Sequence, residues 1–398
     1  MRPFTSVISI EEARKRLAAG VRPIEGTERV ALAGAEGRVA SADITAGVDV
    51  PPFSRSAMDG YAVIAADTRG GPKKLRIIDR IYTGQVSSRR VEPGSCAEIA
   101  TGAPLPAGAD AVVMVEETAR AGDDVVEIRT EAKAGQNIGR RGGDIVKGDP
   151  VVRRGEHLNP SRIGAVAAIG RGEIEVYARP RVAVLSTGNE VVDPGQPLDG
   201  GQIYDINRFT LSAVISANGG VPEPYHPVAD TMADLLAAVD RLTGVDLIVF
   251  SGGSSVGDRD LVVDLVAARG AMIFHGIAVK PGKPTAFALV GGKPFFGMPG
   301  NPTSCLSNAY ILLVPFLRAT ARLPLYAPRT VSAPLGAGIV SQAGRHQFYT
   351  VRLRDGRAFP AFKGSGEITS LSQADGYIEI PADQSSVAEG AEVLVTLF

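Results

Sequence analysis

The sequence is poor in the side chains that most often carry redox, metal or nucleophilic chemistry. Its 398 residues include two cysteines, Cys96 and Cys305, far apart and outside any CxxC spacing. Their scarcity argues against a disulfide framework and a structural zinc, and it fits a reducing cytosol. Four histidines, His157, His226, His275 and His346, form no HExxH pair and read as surface or packed residues. Net charge is nearly absent as well: 42 Lys plus Arg oppose 43 Asp plus Glu. No overall field favours nucleic acid or an anionic membrane, so the partners expected are small molecules or protein. No apolar run approaches the roughly 18–20 residues of a membrane helix, and the N-terminal stretch lacks the uncharged core of a signal peptide. Neither fixed-period repeats nor low-complexity segments occur, which removes solenoids and propellers. GxGxxG and GxxxxGK[ST] are missing too, which disfavours a dinucleotide fold and a P-loop NTPase.

With 44% hydrophobic and 21% charged residues, the composition is that of a soluble globular protein. The length implies two to four domains at about 150 residues each. Residues 1–45 read as mostly helical, starting with an amphipathic helix opened by Ser9. From 46 to 149 come short apolar runs broken by Gly and Pro, the texture of a β-rich module. A helix and a strand follow, up to Pro180. Between 181 and about 326, "RVAVLS", "DLIVFS" and "PFFGMP" alternate with helical stretches, the pattern of buried parallel strands with crossover helices. From 327 onward helices vanish, and Asp355-Gly356 signals a hairpin in a small β domain.

Three α/β loops stand out: "LSTGNE", "FSGGSSVGDRD" and "GMPGNPTS". In an open parallel sheet all three emerge at the carboxyl edge, where ligands bind. Helix starts close behind two of them favour an anion. Pro302 suits a first helical position, with Asn301 or Ser304 as cap. "VKPGKPTAF" adds Lys280 and Lys283, driven extended by the prolines that follow. They read either as an oxyanion clamp or as a solvated basic turn. Carboxylates gather around the same loops: Glu190, Asp205, Asp230, Asp258 and Asp260. Asp258 and Asp260 have a structural explanation at a helix start; Glu190 and Asp205 have none in their local sequence. Hard oxygen ligands beside an anion pocket suggest Mg²⁺ bridging a phosphate. In the β-rich region the candidates are Asp59, Thr101, and "GRRGGDI" with Arg140, Arg141 and Asp144. Asp59-Gly60 reads either as a hairpin tip or as a displayed carboxylate.

Taken together, "SRSAMDGYAV", "IATGAPLPAGAD", "GRRGGDI", "LSTGNE", "IYDINR", "SGGSSVGDRD", "VKPGKP", "GMPGNPTS" and "QADGY" resemble, in order and over nearly the whole chain, the molybdopterin molybdenumtransferase (MoeA) family, which includes the E domain of gephyrin. The resemblance implies a multidomain α/β and β fold. It would comprise a linking domain (1–45 plus 150–179), a β-rich inserted domain (46–149), a three-layer molybdopterin-binding α/β domain (180–326) and a small β-barrel-like C-terminal domain (327–398). The activity implied is insertion of molybdate into adenylylated molybdopterin, dependent on Mg²⁺, with release of AMP. By the same resemblance Lys280, Lys283 and Ser304 form the molybdate cradle, with Ser365 as an addition. Thr187, Asp205 and Asn207 bind the substrate's polar groups. The loop residues Ser251, Gly252, Gly253, Pro299, Gly300, Asn301 and Pro302 line the site. Glu190, Asp230, Asp258 and Asp260 supply its acidic side, with Glu190, Asp258 and Asp260 as metal ligands.

The family's elongated homodimer implies a cleft shared between subunits, completed in trans by Asp59 with Thr101 and Asp144, and Arg140 is expected among the substrate- and anion-binding residues. It also implies transient contact with the adenylyltransferase and with molybdoenzymes. The chain departs from the family pattern at Gly143, Ser254 and Thr350; Arg352 or Arg345 would supply the arginine displaced at the last. The rival readings are the related molybdopterin adenylyltransferase, which would not need residues 46–149, and a gephyrin-like scaffold, which usually carries extra domains and a linker.

Overall fold

A computed structural model describes residues 7–252, 260–341 and 343–398. The chain forms two compact units, one of Met1–Glu28, Gly37–Val39 and Tyr177–Phe398, the other of Arg29–Glu36 and Ala40–Val176.

The second unit is built on strands β1 (Gly60–Val63), β2 (Lys73–Ile81), β3 (Ser95–Ile99), β4 (Ala111–Met114), β5 (Thr118–Gly122) and β6 (Val125–Ile128). Their order across the sheet is β4-β1-β3-β2-β6-β5. Successive residues point to opposite faces of a strand, and here both faces are covered. Tyr61, Val63, Cys96 and Val113 pack on one side, and Ala62, Ala97, Ile99 and Val112 on the other. Two-sided burial explains the apolar runs of β1 and β4, while β2 and β5 keep exposed polar and charged residues. A separate cluster, with Ala40, Val152, Leu158, Val166 and Val176, packs under helix Pro160–Ala168. Asn159 caps that helix, its Oδ1 accepting from the Arg162 N–H at 2.9 Å.

In the first unit, helix α1 (Ile10–Gly20) is capped by Ser9, whose Oγ accepts from the Glu12 N–H at 3.2 Å. It buries Ile10, Ala13 and Leu17, one helical face. The helical reading of residues 1–45 needs correcting: α1 ends at Gly20, and Thr27–Ala31 is a strand. Val21 is extended at the C-cap, and Pro23 cannot continue a helix because it lacks the N–H.

The central sheet contains β7 (Arg181–Ser186), β8 (Val221–Pro224), β9 (Leu247–Ser251), β10 (Gly270–His275), β11 (Ala286–Val290) and β12 (Lys293–Met298), in the order β8-β7-β9-β12-β11-β10. The first four strands in that order are parallel; the last two run antiparallel to their neighbours. The expectation of a parallel sheet therefore holds for its site-bearing half only. Gly291 and Gly292, both at positive φ, close a hairpin between β11 and β12 where a crossover helix would otherwise be needed. Val182, Val184, Val249 and Phe296 face one core, and Ala183, Leu185, Ile248, Phe250 and Phe295 the other. Helices α2 (Asn207–Ala217), α3 (Met232–Asp240), α4 (Leu261–Arg269) and α5 (Pro302–Asn308) cover the sheet, and α5 runs on through a π-turn (Ala309–Leu313) into α6 (Val314–Thr320).

The C-terminal part is a sheet of β13 (Thr330–Pro334), β14 (His346–Arg354), β15 (Arg357–Pro360), β16 (Gly376–Ile380) and β17 (Glu392–Leu397). Asp355 and Gly356, at φ 48° and 71°, make the β14–β15 turn, as the sequence predicts. One helical turn, Thr369–Ser372, interrupts the expected all-β end. Val279–Lys280 joins the edge of this sheet beside His346–Gln347. No described helix is long and apolar enough to cross a membrane.

Candidate functional site

Ser186 stands opposite Ser251, and Ser251 opposite Met298, so β7, β9 and β12 stop at the same level. The chain leaves all three strands at this carboxyl edge, where parallel sheets bind ligands, and Thr187, Gly252 and Pro299 follow directly. They border a cleft of about 1160 Å³, somewhat larger than the usual small-molecule site. Thr187, Gly188, Glu190, Asp205, Asn207, Asp230, Ser251, Gly252, Lys283, Pro299, Gly300, Asn301, Pro302 and Ser304 all line it.

At the closed end the polar groups are buried. Asn207, at the start of α2, donates from Nδ2 to the Ser251 hydroxyl and the Gly300 carbonyl, each at 2.7 Å. Its Oδ1 has no partner among the described residues, and neither does the Thr187 hydroxyl, although both residues are over nine-tenths buried. Buried polar atoms left unpaired are costly, so these two are ready to meet a ligand's hydrogen-bonding groups. Asp205 is engaged already: its carboxylate accepts from the Ser186 hydroxyl at 2.5 Å and the Arg208 N–H at 3.0 Å, with the buried Arg208 guanidinium 3.4 Å away. Arg208 also pairs with Asp193. Burial works against the Asp193 carboxylate, but hydrogen bonds from His226 and Arg208 hold its carboxyl below the usual range.

At the open end Glu190 and Asp230 are exposed, and their carboxylates have no partner among the described residues. The lining also carries the exposed Asn301, the half-buried Lys283 and the buried Ser304. Asn301 donates from Nδ2 to the Ser365 hydroxyl at 3.2 Å, and the Thr303 N–H to the Ser365 carbonyl at 3.1 Å. Ser365 is thus brought to the cleft from the C-terminal sheet, with Gly366 beside it on the lining. Lys280 and Asp260 are not lining residues. Asp260 caps α4, its Oδ1 accepting from the Val262 and Val263 N–H groups, while Oδ2 lies 3.2 Å from His275 Nε2. Gly253, Asp258 and Ser254 lie outside the described residues. Behind Ser251, burial pushes the Cys305 thiol up to about 12, which rules out a thiolate nucleophile at neutral pH. Local sequence does not expose one part of the site: the apolar wall of Leu198, Ile203 and Tyr204, each left partly exposed beside the cleft. Their alternation is too short to read.

The other unit presents its own polar edge. Arg55–Ser56 pairs with Ile138–Gly139, and the Ser56 N–H donates to the Ala103 carbonyl. This brings the Asp59 turn, the Thr101 loop and the Arg140 loop to one end of the sheet. The Asp59 carboxylate accepts from the Thr101 N–H at 2.7 Å and is exposed. Arg141, in contrast, is committed to Asp49 at 2.6 Å. The Asp144 N–H donates to the Val50 carbonyl at 3.0 Å, leaving its side chain exposed.

Models of three regions match almost the whole chain: the MoeA N-terminal region (domain I and II) over residues 8–170, a probable molybdopterin binding domain over 183–319, and the MoeA C-terminal region (domain IV) over 332–398. The chain belongs to the MoeA family. Molybdopterin molybdenumtransferase 2 of Mycobacterium tuberculosis is 37% identical over 382 residues, covering 92% of this chain and 94% of the relative. The molybdopterin molybdenumtransferase of Haemophilus influenzae is 31% identical over 400 residues, covering 98% and 99%. The crystal structure of the MoeA molybdopterin biosynthesis protein from Pyrococcus horikosii superposes with a TM-score of 0.85 at 38% identity, covering 98% of this chain and 99% of that one. The MoeA assignment also establishes the multidomain α/β and β architecture.

Proposed function

We propose that this MoeA chain is a transferase of molybdenum cofactor biosynthesis that inserts molybdate into adenylylated molybdopterin and releases AMP. One observation carries the reading: three parallel strands end in register on a cleft with orphaned buried acceptors at its closed end, a lysine on its lining, and two exposed carboxylates that have no partner among the described residues. A nucleotide-linked pterin offers N–H and hydroxyl donors to Thr187 and Asn207, and its flat ring suits the Leu198–Tyr204 wall. Lys283, with Ser304 and Asn301, supplies donors and positive charge to an oxyanion. In this reading Lys280 adds long-range charge from behind the loop, and Ser365 holds Asn301 in place.

Mg²⁺ fits the donor set. Among the described residues, Glu190 and Asp230 are hard oxygen donors without side-chain partners, and no group of three His, Cys, Asp or Glu residues suited to a metal occurs. Mg²⁺ needs only one or two carboxylates when waters and substrate phosphates complete its shell. Bound there, it would neutralise charge on the phosphoanhydride. Of the sequence-based ligands, Glu190 is retained; Asp260 contributes by ordering α4 rather than by binding. The chain's own residues then bind and orient the two reactants, and no side-chain nucleophile is required. A homodimer in which the Asp59–Thr101 edge of one subunit, with Arg140 and Asp144, serves the cleft of its partner completes the proposal. The medium is the cytoplasm, with the adenylyltransferase as donor and molybdoenzymes as recipients.

The test is to supply purified protein with adenylylated molybdopterin, Mg²⁺ and molybdate, following AMP release and reconstitution of an apo-molybdoenzyme. Release of AMP that depends on molybdate is expected. Release that ignores molybdate, or no release, overturns the assignment. Mixing Asp59→Asn with Lys283→Ala subunits tests the shared cleft: activity returns in mixed dimers if Asp59 acts in trans, and stays absent if it does not.

A further inference from the structure

Asn308 is fully buried at the end of α5, yet only half of its amide is satisfied. Its Nδ2 donates to the Gly282 carbonyl at 2.9 Å and reaches the Thr285 hydroxyl at 2.6 Å. That hydroxyl itself donates to the same Gly282 carbonyl at 2.9 Å. Oδ1 has no partner among the described residues. A buried, unsatisfied acceptor costs stability, and an apolar side chain of similar shape would avoid the cost. An asparagine here is therefore poorly explained by packing alone.

The geometry explains it through the neighbouring loop. Gly282 lies between Lys280 and Lys283 at φ 101°, and a Cβ on it would sit 2.2 Å from Asn308 Nδ2. The loop and the amide are thus in direct contact, in a backbone conformation only glycine adopts readily. Asn308 also lies four residues after Ser304, on the same helical face. Ser304 lines the cleft, so one helical stripe carries a cleft residue at its start and the loop anchor one turn further on. A π-turn begins immediately after Asn308, and such insertions redirect side chains and recur at functional sites.

We propose that Asn308 is a positioning residue. Together with Thr285 it fixes the Gly282 carbonyl, sets the height of Lys283 relative to Ser304, and so determines affinity for the oxyanion. The inference rests on the reading above that Lys283 meets molybdate. Neither Asn308 nor Thr285 lines the cleft, so neither touches substrate.

The experiment compares Asn308→Ala, the nearly isosteric Thr285→Val, Lys283→Ala and the Asn308→Ala/Lys283→Ala double variant. Each is assayed for molybdate-dependent AMP release with molybdate and adenylylated molybdopterin varied separately, and for its melting temperature. Asn308→Ala and Thr285→Val are expected to raise the molybdate KM about tenfold, the worth of one charge-assisted contact. The KM for adenylylated molybdopterin and kcat at saturating molybdate should stay near those of the unaltered protein. Adding Asn308→Ala to Lys283→Ala should raise the molybdate KM no further, because both act through one ammonium group. If Lys283→Ala raises the molybdate KM while Asn308→Ala and Thr285→Val do not, the positioning role is wrong and the oxyanion reading stands. Equal losses in all three parameters with lowered melting would mark a merely structural residue and overturn the inference. If Lys283→Ala itself leaves the molybdate KM unchanged, the oxyanion reading fails and the inference falls with it. Should Asn308→Ala not fold, Thr285→Val decides alone.

Discussion

Asp205→Asn separates a substrate ligand from a structural ion pair. The Asp205 side chain is 2% exposed and that of Arg208 8%, with Arg208 Nε 3.4 Å from the carboxylate. The carboxylate also takes hydrogen bonds from the Ser186 hydroxyl and the Arg208 N–H. Asparagine keeps the volume and can accept one of these bonds, but it leaves a buried guanidinium with Asp193 as its one paired carboxylate and the Tyr225 carbonyl, at 3.2 Å, as a neutral acceptor. Breaking a buried pair from one side costs about 3–5 kcal/mol, and the remaining Asp193 contact places this case near about 3 kcal/mol. For a unit of this size that lowers the melting temperature by roughly 6–12 °C. Thermal unfolding followed by circular dichroism measures it, with Arg208→Met as the partner variant. In the Arg208→Met background, Asp205→Asn should cost much less, since the charge it strands is gone. An unchanged melting temperature in Asp205→Asn, with substrate binding lost, would refute the structural reasoning and make Asp205 a direct ligand.

Gly60→Ala should prevent the second unit from folding stably, because the new Cβ would lie 1.9 Å from the Val113 carbonyl oxygen; loss of β signal and protease sensitivity within 40–176 check this. Cys96 and Cys305, both raised to about 12 by burial, should resist alkylation at pH 8 in the native protein and react once it is unfolded; rapid native labelling of either would contradict the packing. Glu379 is held below its ordinary value of 4.5 by a hydrogen bond from His346, against burial, with Arg14 adding attraction. A lowered carboxyl stabilises the fold above its unfolded pKa and loses that contribution as pH falls through the folded value. Glu379→Gln should therefore flatten the fall in stability below about pH 4.5, as urea titrations across pH 3–6 would show; an unchanged acid slope would count against the contact.

Much of the fold was legible because its signals are local. Alternating and continuous apolar runs marked β7, β9 and β12, Ser9 marked the start of α1, and Asp355-Gly356 marked a hairpin. The glycine- and proline-rich loops at 186–190 and 299–304, with Gly252, line one cleft. What stayed hidden depends on contacts between distant segments. The antiparallel β11–β12 pair looks like any other buried strand until Gly291-Gly292 is seen to close it. Asp205 looked unexplained partly because its Ser186 partner arrives only when β7 packs beside α2; its contact with the Arg208 N–H, three residues on, is local. The grip of Asn308 on Gly282 spans 26 residues and leaves no local pattern. The helix start did account for Asp260, which caps α4, whereas Glu190, unexplained by its local sequence, lines the cleft.

The central claim is that the cleft at the ends of β7, β9 and β12 is where the oxyanion binds. Crystals of the protein soaked in molybdate, with data collected at the molybdenum absorption edge, test it most directly. The account predicts an anomalous peak in that cleft within hydrogen-bonding reach of Lys283 and Ser304, lost in Lys283→Ala. A peak elsewhere on a turnover-competent protein, or one that survives unchanged in Lys283→Ala, would contradict it.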